Sequence, residues 1–515
     1  MREGIGAGQV KKETAAKIRY GMERVIISAA ACIITAAVLN VGLSGLGIPL
    51  AFSIIISLAL CVTGALLIAR RLPAGLIDIR KQKPWLSIAW LILGIAAVAQ
   101  IIRLSIFMIN PTLSQYSIFP GDKWYVEHCC LTAYSESARL VSEGNKNIYD
   151  PVNYLNRKES GFNVDSYHYP PPFLLLPASL RAVAGNNFLS VRSLWFTLNA
   201  LSLMLAIALV VYKLEPRGKI RTIGTAPLIW LSMPVLLGLQ ISNVQIMIVS
   251  ISIITWALFP KKPYSGGGLL AMCSVGKIFP GLLFIYLIAR RKWKEVLLTA
   301  GFAILLTLLA FFIFGAQPFK SFIDYELPRL ATGEAFSRPF SRLFAIARNM
   351  SPFGIALKLE RMGVPGITME TGRIFSSAYY LLIIFLIIRS VRRQPASAIE
   401  SLSIWLSVLS LGAIASPFSP ATYVLSSPIL LLCIDYRIFR LSYVLIFSLF
   451  ISLPFFLSQN APFLLLVICN TPAQLLAIGI PALILWRAGK REFEQDTAGK
   501  VVDQEKSSIL KYQLN

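Results

Sequence analysis

The chain has 515 residues, of which 56% are hydrophobic and only 14% charged, and its mean hydropathy is +0.67. A soluble domain needs about a quarter of its residues charged to cover its surface, so that class is excluded. The formal net charge of +24 invites a nucleic-acid reading, yet Lys and Arg fall in short clusters between apolar runs, the pattern that orients a protein in a membrane.

The first apolar run follows a basic stretch holding Lys11, Lys12, Lys17, Arg19 and Arg24. No small-residue cleavage site follows it, so it reads as a retained span. Runs long enough to cross the hydrocarbon layer then recur, and we expect about 14 spans, at approximately 25–43, 48–69, 86–109, 188–212, 222–239, 243–259, 264–276, 278–289, 294–316, 374–388, 399–415, 420–434, 440–457 and 463–485. Basic clusters alternate with them: Arg70, Arg71, Arg80, Lys81 and Lys83; Lys213, Arg217, Lys219 and Arg221; Lys261 and Lys262; Arg290 to Lys294; Arg389, Arg392 and Arg393; Arg437 and Arg440; Arg487, Lys490 and Arg491. That alternation puts both termini in the cytoplasm of a multi-pass cell-membrane protein.

The expected fold is therefore all-α, a polytopic transmembrane helical bundle with two large extracytoplasmic loops, about 110–187 and 317–373, that contain short helices. Residues 1–85 form a cytoplasmic basic N-terminus plus two accessory spans, 86–435 a membrane core, 436–490 C-terminal spans and 491–515 a cytoplasmic tail. The spans near 264–289 are too short to cross unaided and must tilt, pair or break around Lys277. The apolar piece from Phe173 to Val183 lies outside or on the membrane, because counting it as a span would put the 213–221 cluster on the wrong side. "AYSESARLVSEGNKNIYDP" reads as an amphipathic helix ended by Gly144, on plain grounds a solvated surface helix.

Polar residues that do not serve orientation collect in the two loops and at span ends. "FPGDKWYVEHCC" puts Asp122, Lys123, Glu127 and His128 directly after an apolar run, where they face water. An Asp in that position is ordinarily a helix cap or a solvated flank. Lys277 is costlier, since a Lys at a helix centre in lipid costs about 2.5 to 3.5 kcal/mol unless it snorkels, pairs or lines a polar cavity. "YHYPPP", with His168 and Tyr169, reads as a rigid lip at the membrane boundary, either an interfacial anchor or a platform for a sugar ring. Gln240 and Asn243 fall at a tight turn between spans, within reach of sugar hydroxyls. Cys129 and Cys130 are adjacent and the other cysteines lie in spans, so no disulfide framework or zinc spacing is visible. His128 and His168, the two histidines, with Glu127 and Asp122 are a weak metal set because no carboxylate pair at i, i+2 surrounds Asp122, and we expect neither metal nor cofactor.

Six stretches in order carry a family resemblance: "GDKWY" (121–125), "GNKNIYDP" (144–151), "YHYPPPFLLLP" (167–177), "GLQISNVQIMI" (238–248), "GKIFPGLLFIYLIARRKW" (276–293) and "SPFSPATYVLSSP" (416–428). Over roughly residues 86–435 the chain resembles glycosyltransferase family 87, the C-type (GT-C) membrane glycosyltransferases that typically use polyprenyl-phosphate-mannose to build alpha-1,2-mannosides outside the cytoplasmic membrane. The resemblance implies a GT-C-like catalytic core for residues 86–435. It assigns the catalytic acid to Asp122, with Tyr125 matching the family's following Tyr. The late family motif, Ser-Pro-x-Ser-Trp-x-His and then His or Tyr, is kept at Ser416, Pro417, Ser419 and Tyr423, while Pro420 and Thr422 replace the Trp and the first His.

The chemistry asked of such a site is a carboxylate to take the proton of an acceptor hydroxyl and cations to hold a leaving lipid phosphate. Asp122 is the expected base. Lys277 and the loop arginines Arg329, Arg338 and Arg342 are the expected phosphate cations, with Tyr125, His128, His168, Tyr169, Gln240, Asn243 and Tyr423 as substrate contacts. The expected partners are a polyprenyl-phosphate-linked sugar, probing first for mannose, and a glycan or glycolipid acceptor on the outer face, with inversion at the anomeric carbon because a single acid is assigned. A lipid or sugar transporter or flippase would show a hydropathy repeat between halves, and no clear repeat is visible. A non-catalytic GT-C-like scaffold is the other rival, motivated by the missing late-motif His.

Overall fold

A computed structural model describes residues 28–71, 84–214, 222–434, 441–457 and 460–489. The basic clusters at Lys11 to Arg24, Arg80 to Lys83, Arg217 to Arg221, Arg437 to Arg440 and Lys490 to Arg491, and the 491–515 tail, lie outside them. The described chain is a helical membrane protein whose strands are limited to one short hairpin.

Among the described residues, six helices are long and apolar enough to cross a membrane: Ser28–Gly45, Trp90–Ile109, Phe188–Leu214, Trp293–Phe314, Met369–Ser390 and Phe463–Ala488. A seventh crossing results if Met233–Gln240 and Gln245–Leu258, bent by 114°, are one broken span. Length and composition thus support fewer crossings than the expected 14, because the chain is repeatedly interrupted. Ser232 and Pro234 separate Thr222–Leu231 from Met233–Gln240. Ser242, at φ 55°, turns the chain into Gln245–Leu258. Pro263–Gly276 stops at Lys277, whose backbone is extended (φ −150°, ψ 132°), and resumes as Leu282–Ala289. The expected break at Lys277 is therefore present. Such breaks leave backbone N–H and C=O groups without helical partners, which is tolerable in a membrane protein only where they face protein or water instead of lipid.

The N-terminal helix docks through small residues. A Cβ on Gly42 would lie 2.9 Å from Thr197 Oγ1, and one on Gly45 would lie 2.8 Å from Ser193 Cβ and 3.1 Å from the Ser190 carbonyl. Thr197 Oγ1 also donates to the Val38 carbonyl at 3.0 Å. With no hydrophobic gain available between helices in lipid, this close approach supplies the packing that holds the accessory helix.

Segment 110–187 folds as an insertion on the bundle. Its helix Leu131–Ser142 ends as expected, with Gly144 at φ 74° just beyond, but it is not a solvated surface helix, since every residue from Leu131 to Ala138 is buried. A hairpin follows: Lys158 pairs with Asn163 and Glu159 with Phe162. Its two-residue turn, Ser160 and Gly161, has φ of 50° and 88°, the positive pair that matches strand twist. Phe173 to Val183 forms a 3-10 turn and the helix Leu175–Val183.

Three side chains brace this insertion. Gln240 Nε2 donates to the Tyr125 carbonyl at 2.8 Å and its Oε1 accepts from Ile118 N–H at 2.6 Å. Arg192, fully buried, donates to the carbonyls of Phe107 and Met108 at 3.2 and 3.1 Å. Arg348 donates to the Tyr125 hydroxyl and to the carbonyls of Pro454 and Leu457, the last two at 2.6 and 2.9 Å.

Replacing Gly45 with Leu should force the first described helix off Phe188–Leu214 at a cost of about 1 to 3 kcal/mol. The expected reading is a lower thermal midpoint of the detergent-purified protein, and an unchanged midpoint would show that this contact contributes little.

Candidate functional site

The insertion delivers its polar groups by local rules. Asp122 is the N-cap of Lys123–Glu127, its Oδ1 accepting from Trp124 N–H at 2.9 Å. One turn on, the Trp124 ring stacks on His128 at 4.2 Å between centroids. His128 bridges to Asn163 at the end of the hairpin. Because alternate residues of an extended strand share a face, Asn163 and Asp165 lie on one side and Phe162 and Val164, both buried, on the other. Thr132 Oγ1 fixes Asp165 further by accepting its backbone N–H at 3.1 Å.

His128 is thereby set beside Asp165, with Nδ1 3.5 Å from Oδ2. On the opposite edge of the ring, Nε2 lies 3.3 Å from the Tyr423 hydroxyl and 3.6 Å from Cys130 Sγ. Cys130 Sγ contacts the same hydroxyl at 3.5 Å and accepts from Asn243 Nδ2 at 3.3 Å. Four separate parts of the chain thus meet: the hairpin, the helix start after Cys130, the 241–244 turn and the loop after Ala398–Ile414.

Lys277 borders this group. Its Nζ donates to Gln245 Oε1 at 2.9 Å and lies 5.7 Å from the ring centroids of Tyr169 and Phe279. Gln245 is 1% exposed, and among the described residues its Nε2 finds no partner. Tyr169 contributes its hydroxyl to Tyr134 at 3.0 Å. Burial raises the Asp165 carboxyl above its ordinary value, while His128, Arg338, His168 and Arg342 pull it back down. Arg338 and Arg342 are exposed, so their charge acts on Asp165 from the surface.

A second histidine–carboxylate pair flanks the first. His168 Nδ1 lies 2.7 Å from Glu326 Oε1, and Arg329 donates to Glu326 Oε2 at 3.2 Å. Glu326 is wholly buried and ends a π-helical turn, Phe322–Glu326, of the kind that often marks functional sites. Arg329 also pairs with Glu334 at 3.3 Å and sits 4.6 Å over the Tyr325 ring. Its charge is taken up within the loop.

The late-motif loop is held by residues 348–351. Asn349 Nδ2 donates to the Pro417 carbonyl at 2.8 Å, and its Oδ1 accepts from Ser419 and Ser351 N–H at 2.9 and 3.1 Å. Met350 N–H donates to the Ser419 carbonyl at 2.8 Å. That clamp sets the start of Ala421–Val424 and with it Tyr423.

The structure therefore gathers His128, His168, Tyr169, Asn243, Lys277 and Tyr423, with Arg338 and Arg342 acting on the same carboxylate. Tyr125 and Gln240 are buried braces, and Asp122 is a half-buried cap one helical turn from the Trp124–His128 stack. Reading the sequence passed over Asp165, Cys130, Gln245, Glu326 and Asn349. Asp165 had a signal in the alternation of "FNVD", and Glu326 in its i, i+3 spacing to Arg329. His128, Cys130 and Asp165 offer N, S and O atoms within 4.8 Å of one another, a grouping that can hold a metal ion. The cations around Asp165 suit an anion better than a divalent cation.

The family model of glycosyltransferase family 87 matches residues 167–417. That match supports glycosyltransferase family 87 as the family the chain resembles. The match contains His168, Tyr169, Asn243, Lys277, Arg338 and Arg342, and it indicates a membrane glycosyltransferase. Comparison with curated proteins and with solved structures returned no match.

Glu326→Ala would leave Arg329 and His168 facing a buried gap, which for a broken buried pair costs about 3 to 5 kcal/mol. The expected result is a large drop in thermal midpoint, against a small one for Glu334→Ala at the exposed end of the same pairing. Equal drops would show that the buried half carries no special weight.

Proposed function

We propose that the protein transfers a sugar, mannose as the first candidate, from a polyprenyl-phosphate donor to a glycan or glycolipid acceptor on the outer face of the cell membrane, with inversion. The observation that carries this is the ammonium of Lys277, freed by a helix break and set beside an aromatic ring and an under-bonded buried amide. A helix break that costs backbone hydrogen bonds is explained if the site receives an anion. A lipid phosphate is the anion that arrives from within a bilayer with its charge at the boundary. Arg338 and Arg342 would meet it from the open side, with His168 beside them.

In this reading the aromatic rings and amides near Lys277, Tyr169 and Asn243 among them, face the sugar, while the acceptor enters from the water side. Cations aimed at the leaving oxygen stabilise charge that develops only as the glycosidic bond breaks, so they raise the rate as well as the affinity. A carboxylate takes the acceptor proton, and the family resemblance nominates Asp122 for that part. No metal or cofactor is called for.

Incubation of the purified protein with labelled polyprenyl-phosphate mannose and a mixed acceptor pool tests the reading. Acceptor-dependent release of lipid phosphate is the expected outcome, whereas donor movement across vesicles without release would favour a flippase. Lys277→Ala should weaken donor use by about 10- to 100-fold, the worth of one charge-assisted hydrogen bond. A donor dependence that is unaltered would remove Lys277 from the phosphate site.

A further inference from the structure

We infer that Asp165, in place of the Asp122 nominated by the family resemblance, is the general base for the acceptor hydroxyl and that His128 is its positioning partner. The inference rests on the transfer reading above and names the group that performs its proton step.

Donor and acceptor counting leads to it. Asn243 N–H donates to Cys130 Sγ, the Cys130 thiol donates to the Tyr423 oxygen, and the Tyr423 hydroxyl then donates to His128 Nε2. His128 is left with its proton on Nδ1, the nitrogen that faces Asp165. Each link consumes one donor and one acceptor, so the chain runs in one direction and needs a pure acceptor at its end. An ionised carboxylate is that group, and Asp165 stands there. In this arrangement the Asp165 carboxylate is the terminal acceptor of the chain, placed to take a further proton.

Access decides which member of the pair meets substrate. The His128 side chain is 9% exposed, stacked under Trp124 and occupied at both nitrogens, whereas the Asp165 side chain is 33% exposed. The imidazoles of His128 and His168 and the guanidinium groups of Arg338 and Arg342 face Asp165. Cys129, Cys130, Tyr169 and Tyr423 are the thiols and phenols close enough to feel its charge. The same arginines would hold the leaving phosphate, so base and leaving group share one cleft. The 3.5 Å His128–Asp165 distance is long for a hydrogen bond, as catalytic contacts often are before substrate closes the site.

The step is a single displacement. The acceptor oxygen bonds to the anomeric carbon as the bond from that carbon to the phosphate oxygen breaks, and the lipid phosphate leaves with the bonding pair. The acceptor proton passes to the Asp165 carboxylate and later to water. Because the base must be ionised, activity is present above the Asp165 pKa and lost as pH falls through it. Burial places that acidic limb above the ordinary carboxylate range.

The test uses full-length purified protein, with lipid phosphate release read at saturating and limiting donor. Asp165→Asn should lower kcat by about 10²- to 10⁴-fold while donor KM stays within about threefold. Asp165→Glu should retain intermediate activity with a displaced acidic limb. His128→Ala, which removes a donor that favours the charged carboxylate, should move the acidic limb to higher pH, a shift that loss of packing alone would not produce. The limb is also readable in the wild type, so the inference remains testable if Asp165→Asn does not fold. Near-normal kcat in Asp165→Asn, loss confined to Asp122→Asn, or an acidic limb indifferent to His128→Ala each overturns the inference while leaving the transfer reading in place. Wild-type protein that releases no lipid phosphate from any donor overturns both.

Discussion

The pairing of His128 with Asp165 is the contact on which the rest of the site is built. Buried polar groups are stable only if they satisfy one another, and His128, Cys130, Asn243 and Tyr423 do so beside the partly open Asp165 carboxylate. Tyr423, Cys130 and Asn243 each belong to a different part of the chain, so satisfying the network also docks the insertion, the 241–244 turn and the late-motif loop together. Function and tertiary stability draw on the same few bonds. The braces at Gln240, Arg192 and Arg348 serve this end from outside, each binding carbonyls that irregular backbone leaves open.

The membrane explains why the site lies at interruptions. A continuous helix in lipid has no spare polar group to offer a ligand, since its backbone bonds are internal. Breaks at Ser242 and Lys277 and the loop after Ile414 release backbone and side-chain groups, and packing turns them towards a shared cleft. By contrast, Trp293–Phe314 is unbroken and exposes Phe312, Leu297 and Ile304, as a helix whose work is contact with lipid should. The chain thus combines regular spans that face lipid with broken ones that bring polar groups together.

Two histidine–carboxylate pairs in one cleft differ in setting. Asp165 is partly open and reached by exposed arginines, whereas Glu326 is sealed and shares its charge with Arg329. The open pair fits a group that exchanges protons with a substrate, and the sealed pair fits one that fixes a ring. The match to glycosyltransferase family 87 over residues 167–417 is compatible with both readings.

Sequence by itself determined the class of the protein and the positions of its helices, because apolar runs and their interruptions are local properties of the chain. It also marked Lys277 as a break and Gly144 as a helix end, since the cost of a charge in lipid and the freedom of glycine act within a few residues. Short interrupted helices, however, carry the same apolar signal as full crossings, so the apolar runs alone do not count the spans: about 14 were expected, and six or seven among the described residues pass on length and composition. What only the tertiary structure decided was which polar residues meet. His168 finds Glu326 across 158 residues and His128 finds Tyr423 across 295, and no periodicity reaches that far. Asp122 stood out beside its apolar run, but caps a short helix, while Asp165 passed unnoticed in a hairpin strand whose pleat turned it towards the histidine.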